Sequence, residues 1–212
     1  MKDHLAKLAN IGGSALSLAD PVLDADLLAL AGSMADDLIG LLKIKNGFYA
    51  FESALHLFPA TSSGDKIGLA CWNSPDLWVK QYQNMAIGCL FFAEDIFGGQ
   101  FCIKANEVLL FDPETGQLKR LATNLEEWAR SILCDYDLLT GYPLAHEWQR
   151  ANGQIADGMR LVPKIPFVLG GKFSVQNLYP IDATKAMRLR GSIAVQIRDL
   201  PDGTPIRLRA LD

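Results

Sequence analysis

The chain has 212 residues and a mass of 23.2 kDa, half of its residues are apolar, and its net charge is −4. This length suffices for one substantial core, or for a core with an appended subdomain. The longest apolar stretch, Met85 to Ala93, is far shorter than the ~20 residues that cross a bilayer, so the sequence predicts no membrane span. Residues 1–20 contain no compact hydrophobic block before a cleavage-like site, and we therefore expect a cytoplasmic protein.

A long amphipathic segment, DADLLALAGSMADDLIGLLKIKNG, follows this N-terminal part. Its apolar residues recur at spacings of three and four, which predicts one helix that ends at Asn46-Gly47 in a left-handed cap. The strand ALHLF comes next and stops at Pro59. The predicted buried side of the helix consists of Leu27, Leu28, Leu30, Met34, Leu38, Ile39, Leu41 and Leu42.

The segment 59–86 combines aromatic residues with a polar setting. Pro75 fits the first position of a helix, which predicts a helix over SPDLWVKQYQ, capped by Asn73 or Ser74. Tryptophan and tyrosine anchor many protein interfaces, although packing in the core is the alternative role for these side chains. The candidate partner-binding residues of this segment are Trp72, Trp78 and Tyr82.

The stretch from Ile87 to Trp128 alternates strands and turns. IGCLFFAED is an apolar run of strand length, and Gly98-Gly99 can adopt the positive φ angles that return the chain into QFCIKA. Asn106 breaks the chain before EVLLFD, and the DPETG turn then sends it back through QLKRLA. These signals predict a four-stranded antiparallel meander.

A helix closes the meander. Thr123 or Asn124 can cap it, and two glutamates lie in its positive first turn. Its apolar residues recur at helical spacing, and the predicted buried stripe is Leu125, Trp128, Ala129 and Ile132. The sequence thus predicts an α+β fold in which helices pack on one antiparallel β-sheet.

The order of these elements resembles the SUKH superfamily, which includes fungal Smi/Knr-type cell-wall regulators and bacterial immunity proteins. The matching features lie in residues 20–140: the helix ending in Lys45-Asn46-Gly47, the strand ending in Phe92, the acidic turn Glu94-Asp95 before Phe97-Gly98-Gly99, QFCIK, DPETG and the Trp128 helix. The segment 59–86 departs from the pattern. The resemblance implies helices packed on one antiparallel sheet, and it implies no catalytic residue.

The remaining chain is predicted to form a small β-rich subdomain. Asp182 can cap a helical turn over ATKAM, and SIAVQIRDL and PIRLRAL have the alternation of strands joined by Pro201-Asp202-Gly203. Their arginines either bind phosphate or carboxylate groups or pair with the acidic part of the chain. This segment resembles an extension in some bacterial members of the superfamily. We therefore divide the chain into an N-terminal segment 1–19, a SUKH-like core 20–140 and a C-terminal extension 141–212 packed on the core.

No motif for metal binding or catalysis is present. The three histidines fit no zinc pattern, no GxSxG motif occurs, and the glycine pairs lack the companion Gly and Lys of a phosphate loop. We therefore expect no metal, no cofactor and no enzyme activity. Without a CxxC pair, we also expect unpaired thiols at Cys71, Cys89, Cys102 and Cys134.

The charge is distributed unevenly. Residues 1–144 hold 10 basic against 18 acidic residues, whereas residues 145–212 hold 10 against 6. An acidic core suits a basic protein partner, such as a nuclease toxin domain, and the alternative is that the carboxylates serve solubility alone. Glu94 and Asp95 are therefore further candidate partner-binding residues. A sequence pI of about 5.4 and the lack of an aromatic platform argue against direct binding of nucleic acid.

Three functional hypotheses follow. The first is an immunity-type protein that neutralises a toxin domain by binding it and occluding its active surface. The second is an intracellular scaffold or regulatory interaction protein unrelated to toxins, and a distant third is an unrecognised hydrolase. The first predicts a binding surface formed by residues 71–83 and the Glu94-Asp95 turn, with Trp72 or Trp78 exposed as its anchor.

Overall fold

A computed structural model describes residues 3–201 and 203–206 of the chain. The fold is α+β, as predicted: helices pack on a six-stranded antiparallel sheet, and a separate two-stranded sheet lies in the C-terminal part. Within the described ranges, no helix combines the length and apolarity needed to traverse a bilayer.

The six-stranded sheet is a meander whose spatial order follows the chain. The predicted four-stranded unit is confirmed as its second part, and ALHLF forms a short strand beside it. The sequence did not indicate the first strand, which has only three residues. The strands are β1 (Phe48–Ala50), β2 (Leu55–Leu57), β3 (Leu90–Asp95), β4 (Gln100–Lys104), β5 (Glu107–Phe111) and β6 (Leu118–Ala122).

Helices and irregular segments cover both faces of this sheet. Phe92 of β3 packs edge-on against Trp128 with ring centroids 4.9 Å apart, while its neighbour Phe91 packs against Trp78, also at 4.9 Å. Successive side chains of a strand point to opposite faces, so β3 is buried on both. The α-helices of the described residues are α1 (Asp3–Ile11), α2 (Ala25–Ala31), α3 (Ala35–Ile44), α4 (Leu69–Trp72), α5 (Leu125–Cys134), α6 (Tyr136–Thr140), α7 (Tyr142–Asn152) and α8 (Ala183–Ile197).

The long helix predicted before Asn46 is divided in two. A 3-10 turn, Gly32–Met34, separates α2 from α3, and Gly32 has a φ of 54°. The side-chain oxygen of Asn106 accepts hydrogen bonds from the backbone and hydroxyl of Ser33. The helix is thus interrupted where Gly32 adopts a positive φ, which glycine permits, and where the β4–β5 turn contacts Ser33.

The helix that closes the meander, α5, was predicted correctly and so was its cap, whereas the helix over SPDLWVKQYQ was not. The Asn124 side chain accepts from the Glu127 backbone N–H at 2.8 Å and caps α5. Asn73, by contrast, hydrogen-bonds both backbone groups of Phe91 at 2.8 and 2.9 Å. Because the Asn73 side chain is held there, α4 ends at Trp72, and a kinked 3-10 segment, Val79–Ala86, follows after several turns.

The predicted β-rich character of the C-terminal part is only partly correct. The two-stranded sheet pairs β7 (Met159–Pro163) with β8 (Leu178–Asp182), but SIAVQIRDL belongs largely to α8 rather than to a strand. The buried positions of α8 include Met187, Arg190, Gly191 and Ala194, which follow helical spacing. Asp182 caps this helix as predicted. The second predicted strand, PIRLRAL, lies largely outside the described residues.

The C-terminal part runs along the end of the sheet at which the strands are joined by the turns β1–β2, β3–β4 and β5–β6. Gln149 of α7 donates to the carbonyl of Glu52 in the first turn, and Leu161 of β7 donates to Ile96 in the second. The backbone of Val168 donates to Glu114 in the third turn. These contacts bring residues after 140 onto all three turns.

Candidate functional site

The three aromatic residues predicted to bind a partner are buried, which contradicts the predicted exposed anchor. Trp72, Trp78 and Tyr82 have exposed fractions of 1%, 0% and 0%. Trp72 Nε1 donates to Gln100 Oε1 at 2.8 Å, and the Tyr82 hydroxyl donates to the Pro113 carbonyl at 2.8 Å. They are buried because they cover the second face of the sheet, so packing in the core, the alternative role, is what the structure shows.

Glu94 is also buried, so it is not part of an exposed acidic surface. Its Oε1 accepts from Arg160 Nε at 2.7 Å and lies 3.0 Å from His56 Nδ1, and its Oε2 accepts from Gln100 Nε2 at 3.0 Å. Arg160 has an exposed fraction of 1%. The guanidinium group lies over the Tyr49 ring, 5.4 Å from its centroid. Glu94 is therefore the centre of a buried charged cluster that joins β2, β3, β4 and β7.

The protonation states within this cluster follow from the contacts. Burial tends to raise the pKa of Glu94, but the charge of Arg160 and the hydrogen bond from His56 hold that pKa at about 2. Burial lowers the pKa of His56, against the opposing effect of its hydrogen bond to Glu94. At neutral pH Glu94 is therefore ionised, and His56 is neutral with its Nδ1–H donated to Glu94.

A cavity of about 220 Å³ lies beside this cluster. His56 and Glu94 form part of its lining, together with Thr184 and the ion pair between Lys66 and Asp157, whose charged atoms are 2.7 Å apart. The His56 ring stacks on Tyr49 with centroids 4.3 Å apart. This cavity is small, and the charged groups of Glu94, Lys66 and Asp157 in its lining are already paired.

Asp95 follows Glu94 in the chain but lies in different surroundings. Its Oδ1 accepts from the backbone N–H groups of Phe97 and Gly99, both at 2.8 Å, while no hydrogen bond reaches its Oδ2 from the described residues. Burial raises the pKa of Asp95 to about 7, against the lowering effects of these two N–H groups and of Arg190. Among the cavities lined by described residues, Asp95 is the one predicted site residue that lines a large one.

That cavity, of about 470 Å³, is here called the acidic cavity. Four segments enclose it: the β3–β4 turn with Asp95, the β5–β6 turn with Glu114, the loop 164–177 and Arg190 of α8. The turns FGGQ and DPETG are separated by strands β4 and β5. They meet here because alternate turns of an antiparallel meander lie at the same end of the sheet. The lining residues are Asp95, Phe97, Gly99, Leu110, Phe111, Asp112, Pro113, Glu114, Thr115, Phe167, Val168, Phe173 and Arg190.

The acidic cavity contains more carboxylates than cations. Asp95, Asp112 and Glu114 line it, against Arg190 alone, and none of these carboxylates forms an ion pair with a described residue. Arg190 donates instead to the carbonyls of Ala186 and Phe97. Its charge therefore acts on the carboxylates only through space.

Glu114 is the least satisfied of these groups. It is 96% buried, and its Oε2 accepts from Val168 N at 2.8 Å, but its Oε1 is buried without a hydrogen-bond partner among the described residues. Burial raises the pKa of Glu114, against the lowering effects of the Val168 N–H and of Arg190. A buried oxygen without a donor is costly, so Glu114 would gain a hydrogen bond from any donor that reaches it through the cavity.

An exposed aromatic rim borders the acidic cavity. The rings of Phe167 and Phe173 stack with centroids 3.8 Å apart, and Phe97 meets both edge-on at 5.7 and 6.0 Å. Phe173 is 68% exposed, and Ile165 and Val168 nearby in the chain are 58% and 40% exposed. We call Ile165, Phe167, Val168 and Phe173 the apolar rim.

Asn177 holds the loop of the apolar rim in place. Its amide nitrogen donates to the carbonyls of Ile165 and Lys172, at 3.1 and 3.0 Å, and its amide oxygen accepts from Ile165 N at 2.9 Å. Gly171 approaches the Ile165 carbonyl so closely that a Cβ atom would overlap it. The loop is therefore preformed, and Gly171 is required where the loop approaches itself most closely.

Sequence reasoning missed most of this site. Asp95 was a candidate, but Glu114 was interpreted only as a turn residue, and Arg160, Arg190 and Phe173 had no assigned role. The DPETG turn itself offered one usable signal, because Glu114 occupies a turn position that does not require an acidic residue. The arginines and Phe173 offered none, since their partners lie far away in the sequence.

Within the described residues, no three His, Cys, Asp or Glu side chains are grouped so that they could hold a metal ion. The four cysteines are free thiols, with Cys89 and Cys102 buried and Cys71 and Cys134 exposed.

Comparisons with known proteins bear on the fold alone. No protein-family model matches this chain, and no curated protein matches it. Its structure is similar to the crystal structure of Atu4351 from Agrobacterium tumefaciens, with a TM-score of 0.60 and 13% sequence identity. The similarity covers 90% of this chain and 88% of that one. At this identity, the likeness supports a common fold over nearly the whole length of both proteins.

Proposed function

We propose that this chain is a protein-binding module, of the immunity type, that neutralises a toxin domain by binding it. The resemblance of residues 20–140 to the SUKH superfamily suggests the toxin. One structural observation supports binding in particular: the acidic cavity opens beside an exposed apolar rim that includes Phe173. Apolar anchors next to uncompensated charge are typical of surfaces that recognise an oppositely charged protein.

The binding surface in this proposal differs from the one that the sequence suggested. Trp72, Trp78 and Glu94 are buried, so they act on a partner only through the stability of the sheet. The apolar rim replaces them, and Asp95 is kept from the predicted surface. A basic partner, such as a nuclease domain, suits this surface because three carboxyl groups line the cavity against one guanidinium group, and a nearby cation favours their ionised forms.

The test begins with capture of the partner by tagged protein in the native cell. The captured protein's candidate toxin domain is then produced alone, where it should arrest growth, and together with this chain, where growth should return. Phe173→Asp should abolish the protection, because it places a charge in the apolar rim. Leu138→Asp is the matched control, since Leu138 is 77% exposed on α6 and lies outside the rim, and it should protect like the wild type.

Two outcomes would contradict the proposal. A captured partner without toxicity would favour the second hypothesis, an intracellular scaffold or regulatory interaction protein. Protection that both variants retain equally would show that the apolar rim is not the binding surface.

A hydrolase is the third hypothesis, and the contact between His56 and Glu94 is the observation that favours it. A neutral histidine whose Nδ1–H points at a carboxylate has the arrangement of a general base. However, Arg160 neutralises the charge of Glu94, and Tyr49 and Phe58 pack against the His56 ring. These contacts account for His56 as part of a structural cluster, so we propose binding rather than catalysis.

A further inference from the structure

We propose that the acidic cavity receives the side chain of an arginine that the partner protein presents, with its guanidinium group at Glu114 and its aliphatic stem against the apolar rim. This inference rests on the proposed function, and it names the chemical group that the partner must contribute. Four features of the cavity support it, and each limits the choice of ligand further.

The charge of the cavity selects a cation. Its lining contains Asp95, Asp112 and Glu114 against Arg190, and Arg190 directs its donors to backbone carbonyls of Ala186 and Phe97. The carboxylates therefore lack a direct counter-charge among the described residues. A cationic ligand would supply it, whereas an anionic ligand would add to the repulsion.

The free acceptor atoms select a hydrogen-bond donor. Glu114 is 96% buried, and its Oε1 has no hydrogen-bond partner among the described residues. Oδ2 of Asp95 also accepts no hydrogen bond from them, because the turn amides bind Oδ1. A ligand with several N–H donors can satisfy both carboxylates, which a quaternary ammonium group cannot.

The walls of the cavity select a planar donor on an apolar stem. Leu110, Phe111 and Pro113 line it, and Phe167 and Phe173 stand at its rim with their rings stacked. A guanidinium group is flat, stacks on aromatic faces and is less strongly hydrated than an ammonium group. Arginine therefore fits these walls better than lysine does.

The size and rigidity of the cavity are also appropriate. Its volume of about 470 Å³ falls in the ~300–1,000 Å³ range of small-ligand sites. The hydrogen bonds of Asn177 hold the rim loop before any ligand arrives. A preformed site loses little conformational entropy on binding.

The test uses a blocked amino acid as a probe of the full-length protein. N-acetyl-arginine N-methylamide is titrated while backbone amide NMR signals are followed, because a single side chain should bind only in about the millimolar range. We expect saturable shifts centred on the amides of Gly99 and Val168. The norleucine analogue, which has a similar stem and no charge, should cause no saturable shift, and free arginine serves to show whether the peptide groups of the probe contribute.

Variants then locate the binding group. Glu114→Gln should weaken binding of the probe by about tenfold or more, because it removes the charge and presents an amide to the cation. Glu107→Gln is the matched control, since Glu107 lies at the other end of β5 and pairs on the surface with Arg120. If Glu114→Gln does not fold, Phe173→Ala decides the question, because Phe173 is 68% exposed and its loss should weaken binding several-fold without affecting the core.

Three results would overturn the inference: no saturable binding of the arginine probe, equal binding of the norleucine analogue, or wild-type affinity in both cavity variants. Its failure is distinguishable from failure of the proposed function. A partner toxin that binds while the arginine probe does not would refute only the cavity. Specific binding of the probe with no toxin partner would refute only the toxin.

Discussion

Glu94 and Asp95 are neighbours in the chain, yet their carboxyl groups have opposite surroundings. Glu94 meets Arg160 and His56 in the core, and its pKa is held at about 2. Asp95 meets two backbone N–H groups at the edge of the acidic cavity, and its pKa rises to about 7. Successive residues of a strand point in opposite directions, so Glu94 lies in the core while its neighbour Asp95 faces the acidic cavity.

Removing the ion pair of Glu94 tests how much the buried charged cluster contributes to the free energy of unfolding. Arg160→Met should destabilise the protein by about 3–5 kcal/mol, because it leaves a buried carboxylate without its counter-charge. The control is Arg120→Met, whose ion pair with Glu107 is exposed on both sides, and it should cost less than about 1 kcal/mol. The measurement is the midpoint of urea unfolding for each variant.

A double variant separates the two causes of this loss. Adding Glu94→Gln to Arg160→Met removes the unpaired charge and should restore part of the stability. Equal midpoints for Arg160→Met and Arg120→Met would show that the buried pair contributes no more than a surface pair.

At the scale of elements, the β3–β4 turn connects the sheet to α8. Gly98 has a φ of 78°, and a Cβ atom there would overlap Nη2 of Arg190. The side chain of Arg190 donates to the carbonyl of Phe97 in the same turn. Gly98 is therefore needed both for the direction of the turn and for the approach of Arg190.

These two requirements can be measured separately. Gly98→Ala should destabilise the protein by the ~1–2 kcal/mol of a left-handed non-glycine residue plus the cost of displacing Arg190. Gly88→Ala is the matched control, because Gly88 has a φ of 73° and nothing within 4 Å of the added atom. Chemical denaturation should show the larger loss for Gly98→Ala, and Arg190→Ala should reduce the difference. Equal losses would mean that the contact with Arg190 has no energetic role.

At the scale of the whole molecule, side chains from residues after 140 pack in the same hydrophobic clusters as side chains from residues before 140. Met187 and Ala194 of α8 belong to the main hydrophobic cluster, and Gly191 allows the helix to approach Gln81 and Tyr82 closely. A second cluster joins Ala54 and Ile96 to side chains of α7, β7 and β8. The independence of residues 20–140 as a unit is still a prediction, and these shared contacts are what a truncation would remove.

The stability of the whole molecule should depend on pH through Asp95. Its folded pKa of about 7 lies above the ordinary value of 3.8, so the folded state binds the proton more tightly. The contribution of Asp95 to stability is then complete below the ordinary pKa and is lost as the pH rises from about 4 to 7, at up to ~1.4 kcal/mol per pH unit.

Asp95→Asn isolates this contribution, because Glu94, His56 and Glu114 titrate in both proteins. Relative to Asp95→Asn, the unfolding free energy of the wild type should fall as the pH rises from 4.5 to 7, as measured by urea unfolding at each pH. A constant difference across this range would show that Asp95 has the same pKa in the folded and unfolded chain.

The sequence by itself determined the parts of this protein that depend on local chemistry. The meander β3–β6, the turns at Gly98 and DPETG, and a cap of α5 at Thr123 or Asn124 were predicted because period, turn residues and caps act over a few positions. Asp95 was the only predicted site residue found at the acidic cavity. The first turn of α8 was predicted, but its continuation through SIAVQI was taken for a strand, because the apolar residues there also fit a strand's alternation until the positions in contact with the core are known.

Only the tertiary structure decided which polar and aromatic residues face the core. Trp78 is buried because it covers a face of the sheet, and Glu94 is buried because Arg160, 66 positions later, supplies its counter-charge. The acidic cavity likewise forms from two turns, a loop and a helix that come together only in the folded chain. Burial and charge pairing are properties of contacts between distant segments, and a local pattern contains no information about which distant segment will arrive.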